Sequence, residues 1–196
     1  IDFSNWKFND KGIVKLNGEW EIYSNQLLSS KDLKYSNINQ KEYVRVPGNW
    51  YSHSNNNLDG FATYKVVIRN LDKDEIYGIK LNRIYMAYKL WINDRLVAES
   101  GAISDKKEEV WGKVSPRIIY TSPADGNLEM IFQISNYDYY RGGIVDSIEI
   151  GLHDQMLKKS RFEVMLNSFI AGIIFIITLY HFILYFFWKK DNNNFY

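Results

Sequence analysis

The longest apolar stretch of the chain, Val164–Trp188, restricts the fold more than any other feature. Its 25 consecutive residues contain no Lys, Arg, Asp or Glu, and Lys189 and Lys190 follow directly. As an α-helix the stretch would be about 37 Å long, enough to cross a hydrocarbon core of about 30 Å with some tilt. The alternative is a buried helix in a large soluble core, but only about 160 residues remain to cover it. Residues 164–188 are therefore predicted to form a transmembrane helix.

Composition excludes several classes of function. The net charge is +1, with 24 basic and 23 acidic residues, so there is no electrostatic reason to expect nucleic acid as a partner. Cysteine is absent, which excludes disulfides, thiolate metal sites and cysteine nucleophiles. The histidines, at positions 53, 153 and 181, are too scattered for a metal-ligand spacing, and no phosphate-binding loop or nucleophile elbow is present. We therefore expect no metal, no cofactor and no enzyme activity in this chain.

The first 152 residues have the pattern of an antiparallel β-sandwich. Short segments of alternating hydrophobicity are separated by turn signals, and no helical period is sustained before residue 152. Ala87–Ile92 and Leu96–Glu99 are predicted to form a hairpin, because Asn93-Asp94 between them tolerates left-handed backbone. In Leu128–Ser135 most apolar residues share one face, but Ile131 points the other way. This second apolar face predicts a central strand. A further strand is predicted at Ile144–Ile150.

The remaining residues are predicted to connect the sandwich to the membrane. Residues 153–163 are expected to form a juxtamembrane helical connector, and residues 189–196 a cytoplasmic loop that begins a further part of the protein. Because the chain starts at Ile1 without a leader, it is interpreted as a mature form or an excised part. Three basic residues precede the span and two follow it, so the basic-residue count does not by itself place the N-terminal side outside.

Loop aromatics beside polar groups are the best candidates for a binding site. Sugar recognition uses flat aromatic surfaces for the ring faces and planar donors and acceptors for the hydroxyls. Three polar loops supply both kinds of group, and the ligand-binding candidates are Trp50, His53, Trp111, Tyr139 and Arg141. Arg141 is the first to test, because a charge among tyrosines should have a partner. The alternative is that these aromatics only cap the ends of the sandwich.

Several segments in order carry a family resemblance. GEWEIYSNQLL (18–28), VPGNW (46–50), YKLWINDRLVAESG (88–101) and SNYDYYRGGI (135–144) resemble the extracellular domain of bacterial seven-transmembrane receptors with diverse intracellular signalling modules. AGIIFIITLYHFILYFFWKKDNNNFY resembles the first membrane helix and loop of that family. The middle section is also similar to the non-catalytic jelly-roll, galactose-binding-like domain of β-galactosidase-type glycoside hydrolases.

The resemblance implies a sensor and its partners. Residues 1–163 would be extracytoplasmic, and residues 1–152 would form a jelly roll that senses a carbohydrate or similar small ligand. Its other partners would be the lipid bilayer and further transmembrane helices of the same chain. A second copy in a homodimer is a further candidate partner. Within the sandwich, Trp91 is expected to alternate into the core. The competing hypothesis is a protein-interaction or dimerisation module anchored to the membrane, in which the aromatic loops serve as interface anchors.

Overall fold

The alternating segments of the sequence form the strands of a β-sandwich. The computed structural model describes residues 1–35, 41–49, 60–82, 84, 86–112, 116–123, 125–137 and 142–192. The strands are β1 Val14–Lys15, β2 Gly18–Ser24, β3 Glu42–Val46, β4 Gly60–Ile68, β5 Tyr77–Leu81, β6 Ala87–Ile92, β7 Arg95–Ser100, β8 Arg117–Thr121, β9 Leu128–Asn136 and β10 Glu149–Leu152. The helices are α1 Phe8–Lys11, α2 Ser30–Tyr35 and α3 His153–Asn192, with a 3-10 turn at Lys107–Glu109.

The strands form two sheets, and every pairing between named strands is antiparallel. The larger sheet has the order β3-β2-β4-β9-β6-β7, and the smaller sheet has the order β1-β10-β5-β8. Side chains from both sheets form one hydrophobic cluster, in which Trp20, Ile79 and Phe132 are almost completely buried. The predicted fold class, an antiparallel β-sandwich followed by a long apolar helix, is confirmed.

Strand β9 lies in the middle of the larger sheet and is buried on both faces. Phe132 points into the core, and Ile131 on the opposite face is only 1% exposed. Neighbouring segments cover this outer face. Thr63 Oγ1 donates to the Gln26 carbonyl at 2.7 Å, and Ser135 Oγ donates to the Ser104 carbonyl at 2.9 Å. The second apolar face in the sequence therefore identified a central strand correctly.

The predicted hairpin between β6 and β7 is also confirmed. Asn93 and Asp94 both adopt positive φ angles, 47° and 67°, as a tight two-residue connection requires. The expectation that Trp91 enters the core is wrong. Its two neighbours in β6, Leu90 and Ile92, are buried, whereas Trp91 lies on the outer face opposite Ile131 and is half-buried.

The last strand differs from its predicted position. It was expected at residues 144–150, but β10 begins at Glu149 and continues to Leu152. Ile144 is buried in the core without belonging to the strand, and its carbonyl accepts a hydrogen bond from the Gly48 amide at 2.9 Å. A long-range contact with another loop therefore replaces the sheet pairing that the apolar pattern suggested.

The chain divides into a β unit, Ile1–Met156, and a helical unit, Leu157–Tyr196. Helix α3 begins at His153, immediately after β10, and its first turn belongs to the β unit. The part of α3 from His153 to Trp188 is long and apolar enough to cross a membrane, and no residue of its most apolar segment is buried. An exposed apolar surface of this extent is stable in lipid but not in water.

Candidate ligand-binding end of the sandwich

Strand register brings the predicted binding segments to one end of the larger sheet. Gly60 lies opposite Asn136, and Ala87 lies opposite Ser135. Consequently β4 and β6 begin, and β7 and β9 end, at the same end of the sheet, which we call the loop end. The segment with Trp50 and His53 leads into β4, the segment with Trp111 leaves β7, and the segment with Tyr139 and Arg141 leaves β9. Each of the three segments is therefore attached to the loop end.

Among the five predicted site residues, Trp111 falls within the described part of the chain. Trp50, His53, Tyr139 and Arg141 lie outside the described residues, and their role stays a prediction. Trp111 is 58% exposed, so one face of its indole is available to a ligand. Its carbonyl accepts a hydrogen bond from the Ala102 amide at 2.9 Å, which fixes the Trp111 backbone beside the end of β7.

Gly101 makes this attachment possible. Its φ of +72° lies in the left-handed region that favours glycine. A Cβ at this position would lie 2.0 Å from the Trp111 carbonyl oxygen, closer than two non-bonded atoms can approach. Residue 101 must therefore be glycine for the Trp111 segment to dock where it does.

Side-chain hydrogen bonds join the 101–112 segment to the end of β9. Besides the Ser135 bond, the Tyr137 hydroxyl donates to the Asp105 carbonyl at 2.8 Å. Within the segment, Ser104 Oγ donates to a carboxylate oxygen of Glu109 at 2.8 Å. Trp111 and Tyr137 thus lie on two segments that are joined by hydrogen bonds. Tyr137 was not among the predicted site residues, although it lies in the same dense turn of the sequence.

A buried hydroxyl lies just inside the loop end. Tyr88, the second residue of β6, is 1% exposed and packs against Phe132 in the core. Its hydroxyl has no hydrogen-bond partner in the structure as described. Burial raises the pKa of Tyr88, and the charge of Arg117 partly opposes this change. A buried hydroxyl without a partner costs about 1–3 kcal/mol.

A second structural feature, a glycine recess at the start of α3, was not predicted from the sequence. Gly78 of β5 and Gly151 of β10 are directly paired, so the smaller sheet has no side chains at these two neighbouring positions. A Cβ on Gly78 would lie 2.8 Å from Met156 Cγ, and one on Gly151 would lie 2.7 Å from Ile13 Cγ1. Met156 is completely buried. The glycine pair therefore forms a recess that is filled by Met156 of the first turn of α3 and by Ile13.

Polar contacts fix the same turn to the β unit. The His153 amide donates to the Ile76 carbonyl at 2.8 Å. Gln155 accepts a hydrogen bond from the Leu152 amide at 3.3 Å, as the third residue of a capping box does. The Gln155 side-chain amide also donates to the Phe8 carbonyl at 2.7 Å. No flexible residue separates β10 from α3, so movement of this strand must also move the start of the helix.

Comparisons with known proteins support the β-sandwich fold. No protein-family model and no curated protein matches the sequence. The structure resembles β-glucuronidase from Ruminococcus gnavus in complex with D-glucuronic acid, with a TM-score of 0.53, 12% identity, and coverage of 70% of this chain and 29% of the enzyme. It also resembles Faecalibacterium prausnitzii β-glucuronidase, with a TM-score of 0.50, 11% identity, and coverage of 70% and 31%.

These similarities concern the fold alone. The chain matches less than a third of the length of either enzyme, and the identity is too low to transfer a binding site. The predicted likeness to a β-sandwich domain of glycoside hydrolases is confirmed at this level. The resemblance to membrane receptors stays a prediction.

Proposed function

We propose that this chain is the extracytoplasmic sensor and first transmembrane helix of a bacterial signal-transduction receptor, with a carbohydrate or similar small ligand. The observation that carries the proposal is the continuity between β10 and α3. The strand runs from the sandwich directly into an apolar helix of membrane-spanning length, and the first turn of that helix is packed into the β unit. A passive anchor has no need for such a connection.

The proposed ligand site is the loop end. Trp111 offers an exposed indole. The segments attached to the loop end also contain the other predicted site residues, Trp50, His53, Tyr139 and Arg141. The β-sandwich resembles part of two enzymes that are named β-glucuronidases. Their activity is not transferred to this chain, but the resemblance is consistent with a sugar ligand. A ligand that prefers one arrangement of the loops would shift the populations of the receptor.

Sugar binding tests this proposal. Calorimetric titration of the full chain in detergent micelles with a panel of mono- and disaccharides should identify a ligand. Trp111→Ala should weaken its binding about five- to tenfold, because the stacking of an aromatic ring on a sugar face contributes about 1–1.5 kcal/mol. Arg141→Ala should weaken it similarly.

Tyr120→Ala serves as the matched control, since Tyr120 is an exposed aromatic on the smaller sheet away from the loop end. Sugar binding that survives Trp111→Ala would contradict a site at the loop end, whereas specific self-association without any sugar binding would favour the interaction module.

The orientation of the chain is a separate part of the proposal. We place the β unit outside the cytoplasm and the residues after Lys190 inside it. Green fluorescent protein fused after Lys190, in a chain expressed behind a signal peptide, should therefore fluoresce, whereas alkaline phosphatase fused at the same position should be inactive. Active phosphatase at that position would reverse the orientation.

A further inference from the structure

A polar cleft lies at the end of the larger sheet opposite the loop end. Its volume is about 590 Å³, within the usual range for small-molecule sites. The cleft is bounded by the end of β4, the β6–β7 turn, the turn before β9, and α2. Its lining residues are Lys34, Val67, Arg69, Asn93, Asp94, Asp125, Asn127 and Glu129. Because β4 ends where β9 begins, this cleft is remote from Trp111.

The walls of the cleft are fixed by hydrogen bonds. Asn93 continues the pairing of the sheet beyond β6, since its amide donates to the Glu129 carbonyl at 3.0 Å and its Oδ1 accepts from the Glu129 amide at 2.8 Å. Its Nδ2 donates to the Asn127 carbonyl at 3.3 Å. One asparagine therefore joins two of the turns that form the cleft.

Several charged groups around the cleft are already neutralised. Lys34 of α2 pairs with Asp94 at 2.5 Å, and Lys65 pairs with Glu129 at 2.7 Å. The hydrogen bond from Lys34, with a second from Ser30, lowers the pKa of Asp94. These pairs shape the cleft and hold α2 against the β6–β7 turn, but their charges have partners.

Two opposite charges in the cleft differ from the rest. Within the described ranges, neither the Arg69 guanidinium nor the Asp125 carboxylate makes a side-chain hydrogen bond or ion pair. Both belong to adjoining backbone segments, because the Leu71 amide donates to the Gly126 carbonyl at 2.9 Å. Val67 adds an apolar surface beside them. Among the described lining residues, the charges without a partner are thus one cation and one anion.

We propose that this cleft binds a small zwitterion of the α-amino acid type. Arg69 would receive the carboxylate, which matches the planar fork of a guanidinium, and Asp125 would receive the ammonium group. Val67 would contact the apolar part of the ligand. A neutral sugar fits less well, because none of the described lining residues is aromatic and a sugar would leave both charges without a counter-ion.

The test uses the full chain in detergent micelles, titrated calorimetrically with each proteinogenic L-amino acid. For any that binds, the amino acid amide and the N-acetyl amino acid should bind about tenfold more weakly or worse, since each loses one of the two charges. Arg69→Gln should abolish the preference for the amino acid over its amide. Asp125→Asn should abolish the preference over the N-acetyl derivative. Both side chains are exposed, so both variants should fold.

Trp111→Ala is the control and should leave amino acid binding unchanged, so this result does not depend on sugar binding at the loop end. The proposal is overturned if no amino acid binds, or if binding persists with both preferences intact in Arg69→Gln and Asp125→Asn. Sugar binding that is lost in these two variants would equally overturn it.

Discussion

Gly101→Ala should destabilise the β unit by about 3 kcal/mol, because two costs add at this position. A left-handed φ of +72° costs a non-glycine residue about 1–2 kcal/mol. The new Cβ would also collide with the Trp111 carbonyl at 2.0 Å and approach the Ala87 Cβ to 3.2 Å. The Ala102–Trp111 hydrogen bond must then break. Urea unfolding followed by near-ultraviolet circular dichroism measures the loss.

Gly12→Ala provides a comparison without the collision. Gly12 has an almost identical φ of +74°, and no atom lies within 4 Å of an added Cβ. Its ψ of −154° lies in a region that glycine almost alone occupies, so we expect a backbone cost of about 1–3 kcal/mol. Gly101→Ala should weaken sugar binding at the loop end, whereas Gly12→Ala should not. Sugar binding that is unchanged in Gly101→Ala would show that the Trp111 segment is not held by this contact.

Gly78→Ala should loosen the start of α3. Its Cβ would lie 2.8 Å from Met156 Cγ and 3.1 Å from the Tyr120 ring, in a recess with no free space. Overpacking of this kind costs about 1–3 kcal/mol. Hydrogen exchange at the amides of residues 153–156 should become faster, while exchange in the centre of β9 should change less.

A double-mutant cycle identifies the contact responsible. Met156→Ala removes a completely buried side chain and should cost about 2–4 kcal/mol by itself. In the double variant, the alanine at position 156 lacks the Cγ that the new Cβ would strike. The combined cost should therefore fall below the sum of the two single costs by about 1 kcal/mol. Strict additivity would mean that Gly78 does not hold the helix through Met156.

Much of the fold follows from local patterns in the sequence. The helix at 164–188 is dictated by an uninterrupted apolar run, and the β6–β7 turn by Asn93 and Asp94, which tolerate the required φ. The two apolar faces of β9 likewise identified a central strand, because alternation along one strand reports how many of its faces are covered. Such features depend on neighbours a few residues away.

The features that support the proposed function depend on strand pairing. Glycines inside strands, such as Gly78 and Gly151, are the one local sign of the helix recess, but only the register places them side by side. Trp91 and Ile144 were also misplaced by the alternation of the sequence. Trp91 lies half-buried on the outer face and not in the core, and Ile144 contacts a loop and does not belong to a strand.

The cleft of Arg69 and Asp125 is a consequence of tertiary structure alone. These residues are 56 positions apart and belong to unremarkable polar turns in the sequence. The sequence determined the elements of this protein, because periodicity and turn chemistry are short-range. Tertiary structure decided which side chains share a site, since that depends on which strands pair, in what register, and which segments cover each face of the sheets.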